Sequence, residues 1–459
     1  MRAIVIGGGF AGLSCACEMA SQGTKILLVE GRGRLGGRAY SYTDPKTEDV
    51  VDNGQHLFMG AFTETRYFLR QIGSLEKISF QDDLRVDFFG EQEGHTSLRC
   101  PRLPSPWHLC AGAFRLRSLG LGDKARMWRL ARRLAWGRDG QIRSSEGLTV
   151  EEWLNTLGQT ERAQKNFWNV IAISALNEVP RLASAKLLET VLRRGLFGPR
   201  KGSRIGVSRV GLSQLYTGNA RRFIEGHQGE VRLGSRIKRF HFQGDRVEAV
   251  ELAHGEKLSA EIFVLAVDHH SLGALLDDEL LKKVPSLQPC RGIPSSPIIS
   301  VNLWLDRPVT DRPFAALLDT EWQWLFNKSV LFQGDDRPGQ YLALVMSGAS
   351  AHVEKNKEEL IEMGLRDLRR VVPAARKAGL SHAVVVKEKH ATFSPRLEVE
   401  KRRPGARTAV ANLYLAGDWT DTGLPATIEG AVQSGRYAAE LALGGCSPIG
   451  GRDQKRSFL

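Results

Sequence analysis

The chain is expected to fold as an α/β protein in which a Rossmann-like nucleotide-binding domain is interleaved with a second, α+β domain. Three observations lead there. The chain opens with Ile4-Val5-Ile6-Gly7-Gly8-Gly9-Phe10-Ala11-Gly12, an apolar strand running into a GxGxxG turn. A second apolar strand, Lys25-Ile26-Leu27-Leu28-Val29, ends at Glu30, eighteen residues after Gly12. Far downstream, Leu413-Tyr414-Leu415-Ala416-Gly417-Asp418 reads as another short buried strand ending in Gly-Asp. The first two form a βαβ unit for a dinucleotide. Gly7 makes the tight turn, Gly9 admits the pyrophosphate, and Gly12 lets the helix pack on the strand. The helix beginning at Phe10 and Ala11 points free N–H groups at the phosphates. Glu30 is placed to accept hydrogen bonds from a ribose.

The remaining elements follow from apolar patterning. Glu230 to Leu233, Arg236 to Phe240, Val247 to Leu252 and Ile262 to Val267 read as short strands. Residues 81–220 look mostly helical, with Val150 to Leu154 and Arg162 to Leu176 as examples. Residues 273–395 begin as Leu-rich helix and turn to strands at Ile298 to Leu305, Trp322 to Phe332, Tyr341 to Met346 and Ala383 to Lys387. These two stretches would form the second domain over the nucleotide. Residues 446–459 read as a flexible basic tail.

Composition narrows the class. The 459 residues carry 42% apolar and 25% charged side chains, ordinary for a globular protein large enough for two cores. The six cysteines have no metal-ligand spacing, so no metal site is expected and reduced thiols in a cytoplasmic protein are. Because Met1 leads straight into the first strand, no signal peptide is expected, and no apolar run is long enough to span a bilayer. The net charge of +13 is concentrated: residues 101–140 hold nine basic side chains against two acids, a local +7. There Met127, Leu130, Ala131 and Leu134 form an i, i+3, i+4, i+7 stripe, Arg126, Arg129, Arg132 and Arg133 fill the other positions, and Trp107, Trp128 and Trp136 flank them. Two readings stand open: a membrane-surface element, placing the protein on the inner face of a bacterial membrane, or a surface helix that packs its stripe on the core. No nucleic-acid module accompanies the charge.

Three further segments resemble the flavoprotein superfamily of amine oxidases and carotenoid desaturases: Arg34-Leu35-Gly36-Gly37-Arg38, Asp52-Asn53-Gly54-Gln55-His56, and Gly417-Asp418 with Leu424-Pro425-Ala426-Thr427-Ile428-Glu429-Gly430-Ala431. The resemblance implies FAD. Its motifs lie at both ends of the chain, so it also implies a discontinuous nucleotide domain of residues 1–80, 221–272 and 396–445. It lays Gly36, Gly37 and Arg38 along the pyrophosphate and Gly54, Gln55 and His56 beside the flavin ring. It puts Gly417 and Asp418 at the ribityl or pyrophosphate region. Thr427, Ile428 and Ala431 begin the closing helix aimed at the pyrimidine, and Ile237 lies on a strand lending backbone hydrogen bonds to adenine. Thr427 stands where amine oxidases of this superfamily carry an aromatic wall, which argues against amine oxidation. Val50 to Gly60, Pro101-Arg102-Leu103-Pro104, Ala175-Leu176-Asn177 and Ala416 to Thr420 look like the bacterial squalene-associated FAD enzymes, the hydroxysqualene dehydroxylases of hopanoid synthesis.

That resemblance implies reduction of an allylic triterpene alcohol to the hydrocarbon with release of water. Such a site needs an apolar tunnel, one proton donor and exclusion of water. Phe167, Trp168, Trp304, Trp322, Trp324 and Phe326 are candidates for the tunnel or simply for the core. His56 is expected to supply or relay the proton, or else only to bind flavin or backbone. Asp52 and Glu429 fit local caps or the ribityl end, and Asn177 a helix-to-loop cap or a contact to the hydroxyl. His269 and His270 read as solvated loop residues. What reduces the flavin is open between NAD(P)H and a redox partner, since no second dinucleotide fingerprint is present. The competing functions are a phytoene-type desaturase and a prenyl-binding carrier, the latter with no need of Gly7, Gly9, Gly12, Glu30 and Asp418.

Overall fold

The computed structural model describes residues 1–92, 94–136, 144–332 and 338–444. The expected tail, and the last four residues of the basic segment 101–140, lie outside the described residues. The α/β expectation is met. A five-stranded, all-parallel sheet has the order Glu230–Arg232, Lys25–Val29, Arg2–Ile6, Ile262–Leu265, Leu413–Leu415. Its strands come from three distant parts of the chain. Ile4 faces Leu27 on one side and Phe263 on the other, and both faces are covered. That is why these strands read as unbroken apolar runs rather than alternating ones.

Helix Phe10–Ser21 packs on helices Leu212–Gly226 and Ile428–Ala442. The last contact is very close: a Cβ at Gly435 would stand 2.0 Å from the Ala11 carbonyl oxygen. Helix Leu212–Gly226 runs across residue 221, and its Tyr216 ring stacks on Phe10 at 3.7 Å between centroids. Phe10 therefore gives its ring to the core and only its backbone to the glycine turn.

The second sheet has seven strands, in the order Leu380–Phe393, Ser295–Leu305, Gln340–Ser347, Trp324–Asn327, Phe314–Leu317, Arg85–Gly90, Gly94–Arg99. Two expectations change here. The stretch 81–220, expected to be mostly helical, opens with a hairpin, and Arg85–Gly90 pairs in parallel with Phe314–Leu317 more than 220 residues away. Val86 and Phe88 face the core, while Asp87 is buried on the other face by Arg85, His95 and Ser97. A buried acid in mid-strand disguises the pattern, because only its long-range partners make it tolerable. The run Trp322 to Phe332 is a strand only over Trp324–Asn327. Asn327 then caps a short helix, Lys328–Leu331, by accepting the Val330 N–H.

The rest of 81–220 is mostly helical, apart from the strand Ile205–Ser208, which pairs with Leu57–Met59 and Ile78–Phe80. Thr149 and Glu152 form a capping box before Val150–Thr156. The helical run from Glu161 widens into a π turn over Gln164–Trp168 and ends at Leu176, where Asn177 takes the left-handed conformation with φ of 51°. Between the two sheets lies one large cavity.

Candidate functional site

The glycine turn is built for close approach. Gly7 has φ of +115°, and a Cβ there would meet the Ala266 carbonyl at 2.6 Å. A Cβ on Gly12 would lie 1.8 Å from the Gly7 oxygen, so only glycine lets the helix begin there. Gly9 differs: its nearest neighbour would be the Gly37 Cα at 3.9 Å, and both residues border the cavity. Glu30 also borders it, but its carboxylate holds the turn, accepting the Gly8 N–H at 2.7 Å and the Arg32 N–H at 2.8 Å.

The Gly36-Gly37-Arg38 segment is tied to the turn by the Gly36 N–H on the Gly8 carbonyl, 2.8 Å. The buried Tyr216 hydroxyl lies 2.9 Å from each of the Gly36 and Ala39 carbonyls. Arg38 crosses the site to bind the Asp418 carboxylate at 2.6 Å and the Ala391 carbonyl at 3.0 Å. Asp418 is thus anchored by a charge 380 residues earlier. A second arginine that sequence reasoning missed, Arg403, is 7% exposed beneath this loop and donates to the carbonyls of Asp418 and Thr420. It lies in Lys401-Arg402-Arg403-Pro404, which looks like surface and carries no local sign of burial.

Helix Ile428–Ala442 starts at the cavity. Thr427 caps it by accepting the Gly430 N–H at 3.0 Å, leaving the first N–H groups directed at the space lined by Thr427, Ile428 and Ala431. Glu429 serves another helix: it accepts the N–H of Glu64 and both the N–H and hydroxyl of Thr65, capping Thr63–Gln71. Burial pushes its carboxyl up to about 7 against these donors. The folded protein therefore holds a proton that the unfolded chain releases near 4.5; the stabilisation is complete below that and lost as pH rises through about 7.

The segment Asp52 to His56 forms the opposite wall. Asp52 is 3% exposed, accepts the Leu212 N–H at 2.9 Å, and pairs at 2.7 Å with Lys328, itself 1% exposed. Lys328 also donates to the Gln55 side chain at 3.0 Å. Burial holds the Lys328 ammonium below the ordinary lysine range despite Asp52. Lys328 was missed too, although a lysine inside an apolar run was the available signal. His56 has Nδ1 3.1 Å from the Gly54 carbonyl, which fixes Nδ1 as the protonated nitrogen. In the neutral ring Nε2 is then an acceptor. Burial lowers the pKa of His56 from 6.5, with Asp52 opposing.

All these segments, and Ile237, line a single cavity of about 3450 Å³. Pockets for one small ligand span roughly 300–1,000 Å³, so this space admits a dinucleotide and a long second molecule together. Beyond His56 the walls turn apolar through Phe88, Leu98, Phe167, Trp168, Trp324 and Phe326. Trp322 is instead wholly buried core, and Trp304 binds Asp49 and stacks on Tyr341 away from the cavity. Asn177 borders the cavity, but its amide is engaged by Ser296, Thr392 and Gly348 as a loop clasp. The expectation for His269 is corrected: it is 4% exposed and bound to Ser295 at 2.8 Å. Burial and the Arg38 cation push its pKa down to about 4. His270 is the exposed one, stacked on His390.

A glycine turn, a clasping arginine–aspartate pair and a second helix N-terminus thus meet at one cavity, an arrangement suited to a dinucleotide's phosphates. The profile of the flavin containing amine oxidoreductase family matches residues 10–443. The chain belongs to that family. This family member is therefore a flavin-dependent oxidoreductase. It is 27% identical over 451 residues to the hydroxysqualene dehydroxylase of Zymomonas mobilis subsp. mobilis, covering 96% of this chain and 98% of that protein. It is equally 27% identical over 472 residues to the 15-cis-phytoene desaturase of Glycine max, covering 99% and 82%. Among solved structures, an oxidoreductase from Methanosarcina mazei shares the fold at a TM-score of 0.72 and 15% identity, over 96% of this chain and all of that one. No helix among the described residues is long and apolar enough to cross a membrane.

Proposed function

We propose that this flavoenzyme binds FAD and reductively removes the hydroxyl of hydroxysqualene to give squalene, in hopanoid or related triterpenoid synthesis. The observation that carries the reading is the long apolar arm joined to the dinucleotide cradle, together with the full-length likeness to a hydroxysqualene dehydroxylase. Gly7, Gly9, Phe10, Ala11 and Gly12 would present backbone to the pyrophosphate, with Gly36, Gly37 and Arg38 on its other side. Glu30 would take the ribose and Ile237 the adenine. Gly417 and Asp418 would take the ribityl chain, Gly54, Gln55 and His56 the ring edge, and Thr427, Ile428 and Ala431 the pyrimidine. The space a Cβ of Gly9 would fill is the space the phosphates need.

Bound FAD in its reduced form supplies a hydride to the carbon that loses oxygen. The protein's task is the rest. The C–O bond breaks as the oxygen takes a proton and leaves as water, and the carbon skeleton carries allylic positive charge until the new C–H bond forms. Phe167, Trp168, Trp324 and Phe326 keep other water from that carbon. Lys328 and Asp52 hold Gln55 in place from beneath, and the Gly54 carbonyl holds His56. NAD(P)H or a protein reductase would restore the flavin.

His56 is the proposed proton source, and its geometry makes the claim sharp. With Nδ1 committed to Gly54, only the imidazolium can donate from Nε2. The pKa lies below 6.5, so turnover carried by His56 falls about tenfold per pH unit above neutrality. His56→Gln should flatten the profile and lower turnover about 10²–10⁴-fold with FAD content unchanged. Wild-type turnover that is flat from pH 6 to 8 removes His56 as the acid.

The competing reading, a phytoene-type desaturase, draws on the Glycine max likeness. An anaerobic single turnover separates the two. Reduced protein mixed with 12-hydroxysqualene should regain its yellow colour with one squalene formed per flavin. Flavin that stays reduced, but bleaches when the oxidised protein meets a polyene, assigns the desaturase instead.

A further inference from the structure

Helix Leu121–Trp136 turns its apolar stripe inward: Met127, Leu130, Ala131 and Leu134 are buried in the core. The packing reading of the stripe is thus the observed one, yet it leaves the other face unexplained. That face is not a solvated polar surface. Of the eleven exposed large apolar side chains among the described residues, six fall within residues 103–136. Leu121 is 74% exposed, Phe114 64% and Trp136 52%. They form a patch, not scattered singles, because the Trp107 ring lies 5.7 Å from Trp136 and 6.5 Å from Trp128. Isolated exposed apolar residues need no explanation, whereas a contiguous group marks a contact surface.

Two more features say what the contact is. Arg129, Arg132 and Arg133 are exposed on the same helix, and no carboxylate among the described residues pairs with them. Tryptophan beside arginine suits the headgroup region of an anionic bilayer, where the ring lies at the boundary and the cation meets phosphate. The cavity also reaches the surface here. Phe114, Leu121, Ala125 and Trp128 are exposed and line it at the same time, so they form a mouth between helices Trp107–Phe114 and Leu121–Trp136. Past them the wall continues through Met127 and Ala131 towards Phe167. A protein seated on this patch would shut the mouth; a bilayer would feed it.

We propose that these two helices dock on an anionic phospholipid membrane and that the mouth between them is the door through which an apolar substrate leaves the bilayer. The purpose of the door rests on the lipid-substrate reading, but docking is measured without any substrate, so the two can fail separately.

The test is co-flotation of the flavin-loaded protein with vesicles of phosphatidylcholine alone or mixed with phosphatidylglycerol. Wild type should float with the anionic vesicles, less with neutral ones, and less as salt rises. Reversing three charges, R129E/R132E/R133E, should weaken anionic binding about a hundredfold or more. W107S/W136S should weaken binding to both vesicle types at least about tenfold. Both variants should keep the wild-type flavin spectrum and melting temperature, and brominated lipid should quench wild-type tryptophan fluorescence. Protein that remains with the soluble fraction, or a charge-reversed variant that floats like wild type, overturns the proposal. So does a lipid-free dimer that W107S/W136S dissolves, which would give the patch to a second copy of the chain.

Discussion

Lys328→Met is expected to destabilise the protein by about 3–5 kcal/mol and to release flavin, although Lys328 does not itself line the cavity. The ammonium is 1% exposed and lies 2.7 Å from Asp52, which is 3% exposed. Removing the cation strands a buried carboxylate whose remaining donors are the Leu212 N–H and the Gln55 amide. Gln55 loses its anchor as well, so the Asp52 to His56 wall loosens. The charge, not the packing, is the larger loss, and a second variant shows it. In Asp52→Asn/Lys328→Met no charge is left behind, and more than half of the stability should return, since apolar or neutral replacements of a buried pair are often tolerated. Urea unfolding and flavin fluorescence of the four proteins in the cycle measure this. Effects that simply add would show that the two side chains act independently.

Gly435→Ala is the second large effect. Its Cβ would overlap the Ala11 carbonyl oxygen at 2.0 Å, backbone against backbone, so neither a rotamer change nor a flexible neighbour relieves the clash. Helix Ile428–Ala442 must tilt away from helix Phe10–Ser21, moving both helix N-termini that open on the cavity. A loss of at least about 3 kcal/mol is expected, the upper end for overpacking, with FAD content well below stoichiometric. Gly226→Ala supplies the comparison. It ends a helix with nothing within 4 Å of the new Cβ, so helix propensity alone predicts a small gain, up to about 1 kcal/mol. A Gly435→Ala protein that melts like wild type and stays yellow would mean that the two helices pack with slack the structure does not show.

Both substitutions act on contacts that no local pattern announces. Asp52 and Lys328 are 276 positions apart, and Arg38 and Asp418 are 380 apart. Arg403 looks like surface in sequence because its backbone acceptors at Asp418 and Thr420 are assembled by a loop that folds over it. Asp87 hid a strand for the same reason. The basic helix shows how far patterning reaches: its stripe announced which face would be buried, while the exposed tryptophans became a patch only when a neighbouring helix brought Trp107 alongside.

The α/β class, the βαβ opening and the strand leading to Gly417 and Asp418 were determined by the sequence itself. These are short-range features, where a six-residue glycine spacing or an unbroken apolar run permits few backbone conformations. Tertiary structure alone decided that the segments meet around one cavity of about 3450 Å³, that Trp324 and Phe326 line it while Trp304 and Trp322 do not, and that it opens beneath exposed tryptophans. It also decided what the titratable groups face. Lys328 meets Asp52, His56 turns Nδ1 to Gly54, and Glu429 caps a helix from another part of the chain. The physical reason is that burial and pairing set the chemistry of a side chain, and both are properties of the packed whole.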